Sequence, residues 1–278
     1  MGWREWRARS RRYRAQALLL CALFLLGSAL CAAAALFPQP SGDVYEKDGT
    51  TLDVGGASSG YVMLKRSADA QQRVRVSQGG QAFTYSLRQD GEFEVYPLQL
   101  GSGEYEIRVY EQVRGDQYAQ VYSKSIRADM PDENLAFLYP NQYVWYTPDS
   151  TVVSLSQELC SAEMSDKEKL TALYTYVVKH ITYDYIKAAT VQSGYMPDLE
   201  VILQRGNGIC FDIASLLAAM LRVQGVPAQI AIGNVHGMYH AWNRVYLDGE
   251  WSIVDATLRV MNYGKEVRAS DYRMERYY

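Results

Sequence analysis

Cys210 is the residue whose surroundings most favour chemistry. It stands in "GNGICFDIASLLAAMLRVQGVP", two residues after Gly208 and directly before a long apolar run. The run predicts an amphipathic helix over 211–224, which Gly225 and Pro227 end. Because the first turn of a helix leaves backbone N–H groups unpaired, a thiol there is well placed to become an anion. A nearby imidazole would complete the activation of this nucleophile.

Three histidines could supply that imidazole. His180 ends the helical segment "SDKEKLTALYTYVVKH", where the helix dipole favours a cation, and His236 lies in the loop sequence "GNVHGM". His240 instead belongs to the strand segment "YHAWNRVYL", which the dipeptide "DG" joins to "EWSIVDAT". We therefore expect His240 to be the partner of Cys210.

The turn between these two strand segments decides whether His240 has a carboxylate beside it. If 248–249 form a two-residue turn, His240 faces Thr257 and lies diagonally opposite Asp255 on one face of the sheet. Trp242 projects from the same face. A shift of one residue in the turn would place Asp255 on the opposite face.

Together these residues predict a cysteine acyl-transfer site. Cys210 is the expected nucleophile, His240 the general base and acid, and Asp255 the group that orients the imidazole. The backbone N–H of Cys210 can donate to the oxyanion of a tetrahedral intermediate. The same residues serve hydrolysis and transamidation, because these differ only in whether water or an amine accepts the acyl group.

Each of these residues also has an ordinary structural explanation. The segment after residue 37 contains only two cysteines, so Cys210 could form a disulfide with Cys160 if the protein is exported. His240 could be a satisfied sheet histidine, and Asp255 could cap a turn. The alternative function is then a cell-surface binding or scaffolding protein without catalysis.

Composition narrows the classes of partner. The chain has 278 residues, a net charge of −3 and no basic stretch outside its N-terminus, so a nucleic-acid partner is not expected. The cysteines and histidines after residue 37 lack the spacing of a zinc motif, so neither a metal nor a cofactor is predicted.

The N-terminus predicts a membrane segment. Residues 1–14 are rich in arginine and precede the apolar run 15–37, which is long enough to cross a bilayer. The arginines then stay in the cytoplasm, and the rest of the chain lies outside the membrane. In the alternative, the run is a signal peptide cleaved near Ala33 and Ala35, and the protein is secreted.

Two further regions follow. Residues 38–130 contain short strand segments separated by turns such as "QGGQ", "QDGE" and "GSGE", which predict a small β-sandwich. Residues 131–278 contain helical segments first and strands afterwards, which predicts an α+β domain with an antiparallel sheet. Ser165 and Glu168 form a capping-box pattern at the start of one of these helices.

The motifs between Thr151 and Val260 resemble the transglutaminase-like superfamily, the papain-related group that includes transglutaminases, bacterial cysteine proteases and peptide N-glycanases. The matching pieces are "GNGIC", the helix after it, "GVPA", the histidine of "HAW" and the acid of "WSIVDAT". "LYTYVVKHITYDY" is similar to the helix and tyrosine-containing turn that precede the cysteine in that family.

This resemblance implies the same roles for Cys210, His240 and Asp255. It also implies that Tyr183, Gly208 and Trp242 contribute to oxyanion or substrate binding. The chain lacks the acidic cluster of calcium-dependent transglutaminases, so calcium dependence is not expected. A bacterial, membrane-anchored member of this group is expected to act on surface proteins or cell-wall peptides.

Overall fold

The computed structural model of the protein describes residues 37–278. The predicted basic segment 1–14 and the predicted membrane helix over 15–37, apart from Phe37, lie outside the described residues. Within 37–278, no helix combines the length and the hydrophobicity that crossing a membrane requires. Residues Gln39–Tyr278 form one compact unit.

The N-terminal part of this unit consists of two antiparallel sheets. The first sheet has, in spatial order, β1 (Val44–Lys47), β2 (Thr50–Asp53), β3 (Tyr61–Arg66) and β6 (Glu94–Pro97). The second has β5 (Gln81–Leu87), β4 (Gln72–Gln78), β7 (Gly103–Arg114) and β8 (Gln117–Ala128). Buried side chains of both sheets, such as Leu64 and Ile107, share one hydrophobic cluster. The two sheets therefore form the predicted β-sandwich.

Helices follow the sandwich. Those that the described residues contain are α1 (Thr151–Leu159), α2 (Asp166–His180), α3 (Tyr185–Thr190), α4 (Leu199–Arg205), α5 (Cys210–Val223) and α6 (Ala256–Val260). The predicted capping box begins α2, because Ser165 and Glu168 exchange side-chain to backbone hydrogen bonds. Every residue of α5 from Asp212 to Val223 is buried. The predicted amphipathic helix is thus a central helix surrounded by other elements.

The last sheet lies beside α5. It is fully antiparallel and has, in spatial order, β13 (Glu250–Val254), β12 (Met238–Leu247), β11 (Ala228–Val235) and β14 (Tyr272–Tyr277). Helices followed by an antiparallel sheet confirm the predicted α+β arrangement. At the end of β14, the rings of Tyr277 and Tyr278 pack against Phe83 of the sandwich. The division between 38–130 and 131–278 stays a prediction.

The β12–β13 hairpin has the predicted register. Asp248 and Gly249 have φ angles of 52° and 88°, as a two-residue turn of type I′ requires, and Leu247 pairs with Glu250. The prediction was wrong beyond Val254, where the strand ends. Asp255 accepts a hydrogen bond from the backbone N–H of Leu258 at 3.1 Å and so begins α6. Thr257 lies in this helix and does not face His240.

Candidate active site

His240 and Asp255 are in direct contact. The Nε2 atom of His240 lies 2.8 Å from Oδ2 of Asp255, and both side chains are almost completely buried. Asp255 also accepts the hydroxyl of Tyr272, which reaches it from β14 at 3.0 Å. Because Nε2 is engaged by the carboxylate, Nδ1 is the ring nitrogen left for a second partner. The carboxylate therefore sets the orientation of the imidazole.

The second partner of His240 is Cys210. Burial alone would lower the pKa of His240, but the hydrogen bonds to Asp255 and to Cys210 outweigh it and raise that pKa to about 9. Burial and the charge of Asp255 likewise raise the pKa of Tyr272, whose hydroxyl stays protonated as a donor. The protonated imidazole is therefore the stable form at neutral pH.

Cys210 is the first residue of α5 and is partly exposed. The residue before it, Ile209, has an extended backbone, so the chain enters the helix sharply and leaves the thiol at its N-terminal end. Cys210 and His240 line the same cleft, which has a volume of about 530 Å³. The residues predicted as nucleophile, base and orienter thus meet at one site.

Tyr183 also lines this cleft. It belongs to the short strand β9 (Thr182–Tyr183), which pairs in parallel with β10 (Asn207–Gly208) just before α5. Burial raises the pKa of Tyr183 to about 12, and its hydroxyl interacts with the backbone and the thiol of Cys210. A neutral hydroxyl at this point can donate to an oxyanion that forms beside Cys210.

Gly208 contributes through its backbone. Its carbonyl accepts the N–H of Asp184 at 3.0 Å, which holds β10 against the segment that follows Tyr183. A Cβ atom on Gly208 would lie 2.7 Å from Cβ of Asp212 in the first turn of α5. Only glycine therefore lets the chain pass this close to the helix that carries Cys210.

Trp242 does not line the cleft, and a direct contact with substrate is not supported. It is 1% exposed and packs in the sheet core with Tyr272. Its ring stacks against that of His240, with centroids 6.2 Å apart. His240 and Ala241 line the cleft, whereas Trp242, which follows them on the strand, does not. Trp242 thus packs beside the ring of His240 within the sheet core.

Of the ordinary structural explanations for these residues, the disulfide of Cys210 is not found, whereas the capping role of Asp255 is. Cys160 and Cys210 are both free thiols, so the disulfide considered for them does not form. Asp255 does cap a helix, yet the other oxygen of the same carboxylate holds His240. The two roles of Asp255 are compatible because a carboxylate has two oxygens and several acceptor positions.

A buried cluster around Asp212 was not foreseen from the sequence. Asp212 is fully buried. Its carboxylate accepts hydrogen bonds from Nζ of Lys187 at 2.6 Å, from the hydroxyl of Tyr195 at 2.6 Å and from the backbone N–H of Ile209 at 2.9 Å. Lys187 lies in α3, and Tyr195 lies in the loop after it. The sequence signal was an acidic residue in the first turn of an otherwise apolar helix, two positions after Cys210.

The Asp212 cluster holds one wall of the cleft. Side chains between 188 and 196 line the cleft opposite the start of α5. This segment carries the exposed apolar residue Val191, and the helix that leads into it has no buried residue, so little apolar burial holds it in place. The buried ion pair and the tyrosine hydrogen bond are therefore its main attachment to α5.

Comparison with known proteins agrees with this arrangement. Residues 153–256 match the model of the transglutaminase-like superfamily. This part of the chain is a transglutaminase-like domain. The match lies within the predicted range Thr151–Val260 and contains Cys210, His240 and Asp255. The family assignment from the sequence motifs is therefore confirmed.

The curated relatives are much longer proteins. The human kyphoscoliosis peptidase (Homo sapiens) is 28% identical over 147 residues, which are 48% of this chain and 22% of that protein. The mouse kyphoscoliosis peptidase (Mus musculus) is 31% identical over 123 residues, which are 40% of this chain and 18% of that protein. The chain thus spans about a fifth of their length. A solved structure of a TGase is 27% identical with a TM-score of 0.35, covering 44% of this chain and 33% of that one.

Among residues 37–278, no group of three or more His, Cys, Asp or Glu side chains is placed to hold a metal ion.

Replacing Asp255 by Asn should lower the pKa of His240 from its value of about 9. The reason is that burial, which disfavours the imidazolium, would then be opposed by Cys210 but no longer by the carboxylate. NMR titration of the ring protons measures this pKa. Exposed His180 in the same spectra is the control, and an unchanged His240 titration would contradict the proposed coupling.

Replacing Lys187 by Met should lower the free energy of unfolding by about 3 kcal/mol, since it leaves the buried Asp212 carboxylate without its cation. Urea denaturation measures the change. Lys179→Met, at an exposed position on α2, is the matched control and should change the value by less than about 0.5 kcal/mol. Equal effects of the two substitutions would show that the cluster contributes nothing.

Proposed function

We propose that this protein is a cysteine enzyme that transfers acyl groups from peptide or carboxamide bonds through Cys210, His240 and Asp255. The observation that carries the proposal is the bond of 2.8 Å between His240 and Asp255, made by a ring that shares its cleft with Cys210. Its membership of the transglutaminase-like superfamily supports the same reaction class.

The reaction proceeds in two steps. The sulfur of Cys210 attacks the carbonyl carbon, and the carbonyl oxygen becomes an oxyanion beside the Tyr183 hydroxyl and the Cys210 N–H. The C–N bond then breaks as Nδ1 of His240 gives its proton to the leaving amine or ammonia. A thioester on Cys210 remains, and Asp255 keeps the ring oriented throughout.

Water or an amine completes the cycle. In hydrolysis, His240 takes a proton from a water molecule that attacks the thioester, and the products are a carboxylic acid and the restored thiol. In transamidation, an amine attacks and a new amide forms. We favour hydrolysis, because Cys210 is partly exposed to solvent and the curated relatives are named peptidases.

The physiological setting follows from the N-terminal sequence. We propose that residues 15–37 anchor the protein in the cell membrane and that the enzyme domain lies outside the cytoplasm. Surface proteins or cell-wall peptides are then the accessible substrates. Alkaline extraction of membranes should leave the full-length chain in the pellet. A shortened chain in the medium would instead show cleavage of a signal peptide.

A non-catalytic binding or scaffolding protein is the competing function. The free thiol of Cys210 and its contact with a buried His240–Asp255 pair have no use in a protein that only binds. Buried charged groups are costly unless they are paired, and their retention next to a cleft favours catalysis.

Incubation with a library of glutamine-containing peptides should give shortened or deamidated products that wild-type protein forms and Cys210→Ala does not. His240→Ala should reduce the rate at least a hundredfold, because general acid–base catalysis contributes about that much or more. Mass spectrometry identifies the products, and a labelled primary amine in parallel reactions reports transamidation. Cys160→Ala is the matched control and should retain full activity. Equal product with Cys210→Ala would refute the proposal.

A further inference from the structure

The cleft beside Cys210 contains two arginines from different parts of the fold. Arg73 comes from β4 of the sandwich, and Arg276 comes from β14 at the edge of the last sheet. Among the described residues that line this cleft there is no other arginine, no lysine and no acidic side chain. The surface facing a bound substrate is therefore positively charged.

Neither arginine is neutralised within the part of the chain that the structure describes. Arg73 donates from Nη1 to the hydroxyl of Ser86 at 2.7 Å, and Arg276 donates from Nη2 to the hydroxyl of Tyr239. Both partners are uncharged, and neither guanidinium forms an ion pair. Other arginines of the sandwich, such as Arg66 with Glu111, do pair with an acid. Because a guanidinium has five N–H donors, each cleft arginine keeps donors for a ligand.

The rest of the cleft surface is neutral. Aromatic and amide side chains also line it, among them Tyr143, Tyr278 and Gln192. Asp90 and Glu94 line adjoining depressions, where both pair with Arg88. Negative charge on a substrate is thus favoured within this cleft.

We propose that Arg73 and Arg276 form a carboxylate-binding subsite, so that the preferred substrates are peptides with a carboxylate close to the reacting amide. Guanidinium groups recognise carboxylates through paired, charge-assisted hydrogen bonds. This inference rests on the proposed function for its substrate class, since it names the peptides on which Cys210 acts. The carboxylate is that of an acidic side chain or of a free C-terminus.

Binding to Cys210→Ala protein tests the subsite without any turnover. The probes are matched peptides with blocked ends that carry Glu, Gln or Lys next to the amide, and a Gln peptide with a free C-terminal carboxylate. The Glu peptide, the free-carboxylate peptide or both should bind roughly ten- to a hundredfold more tightly than the blocked Gln peptide. The two peptides separate the two sources of the carboxylate, and the preference should weaken as salt is raised.

Substitution of each arginine then assigns the preference. Arg73→Gln and Arg276→Gln, combined with Cys210→Ala, should bring the affinity for the carboxylate peptide close to that for the blocked Gln peptide. Arg75→Gln on β4 and Arg273→Gln on β14 are matched controls at exposed positions outside the cleft, and they should keep the preference.

Equal affinity for carboxylate and neutral peptides, or the same loss in the control variants, would overturn the subsite. Wild-type turnover of the same peptides reports the proposed function separately. A carboxylate preference in binding with no turnover would contradict catalysis but support the subsite. Turnover without the preference would support catalysis but contradict the subsite.

Discussion

The bond between His240 and Asp255 depends on the register of one hairpin. The I′ turn at Asp248 and Gly249 fixes which residues of β12 and β13 face each other, and the strand then ends at Val254. Asp255 follows directly, at the N-cap of α6, and contacts His240 from there. The same carboxylate accepts hydrogen bonds from the first turn of α6, from the imidazole of His240 and from the hydroxyl of Tyr272. One side chain therefore both caps the helix and orients the ring.

A second carboxylate has the corresponding role on the other side of the cleft. Asp212 accepts the N–H of Ile209 and so helps to begin the helix that presents Cys210. Through Lys187 it also attaches the segment that forms a wall of the cleft. The thiol and the imidazole are therefore each positioned by a buried carboxylate. Each carboxylate accepts hydrogen bonds from several donors, and these bonds offset the cost of burying its charge.

The sequence allowed the site to be predicted where local chemistry decides the structure. The I′ turn, the strand alternation and the helix start are encoded within a few residues, so the meeting of His240 with Asp255 and the position of Cys210 could be inferred. Contacts between distant segments could not. Nothing local shows that Lys187 and Asp212 meet, that β14 joins the sheet beside β11, or that Arg73 of the sandwich faces the same cleft as Arg276. The burial of Trp242 could not be predicted either, because alternation predicts a side chain's face but not what covers that face.

The central claim is that His240 activates Cys210, and alkylation of the two free thiols by iodoacetamide at neutral pH tests it most directly. Cys160 is an internal reference, because it is 8% exposed and burial raises the pKa of its thiol. The account predicts that Cys210 reacts much faster than Cys160 and that His240→Ala slows Cys210 while leaving Cys160 unchanged. A Cys210 that reacts at the same rate with and without His240 would contradict it.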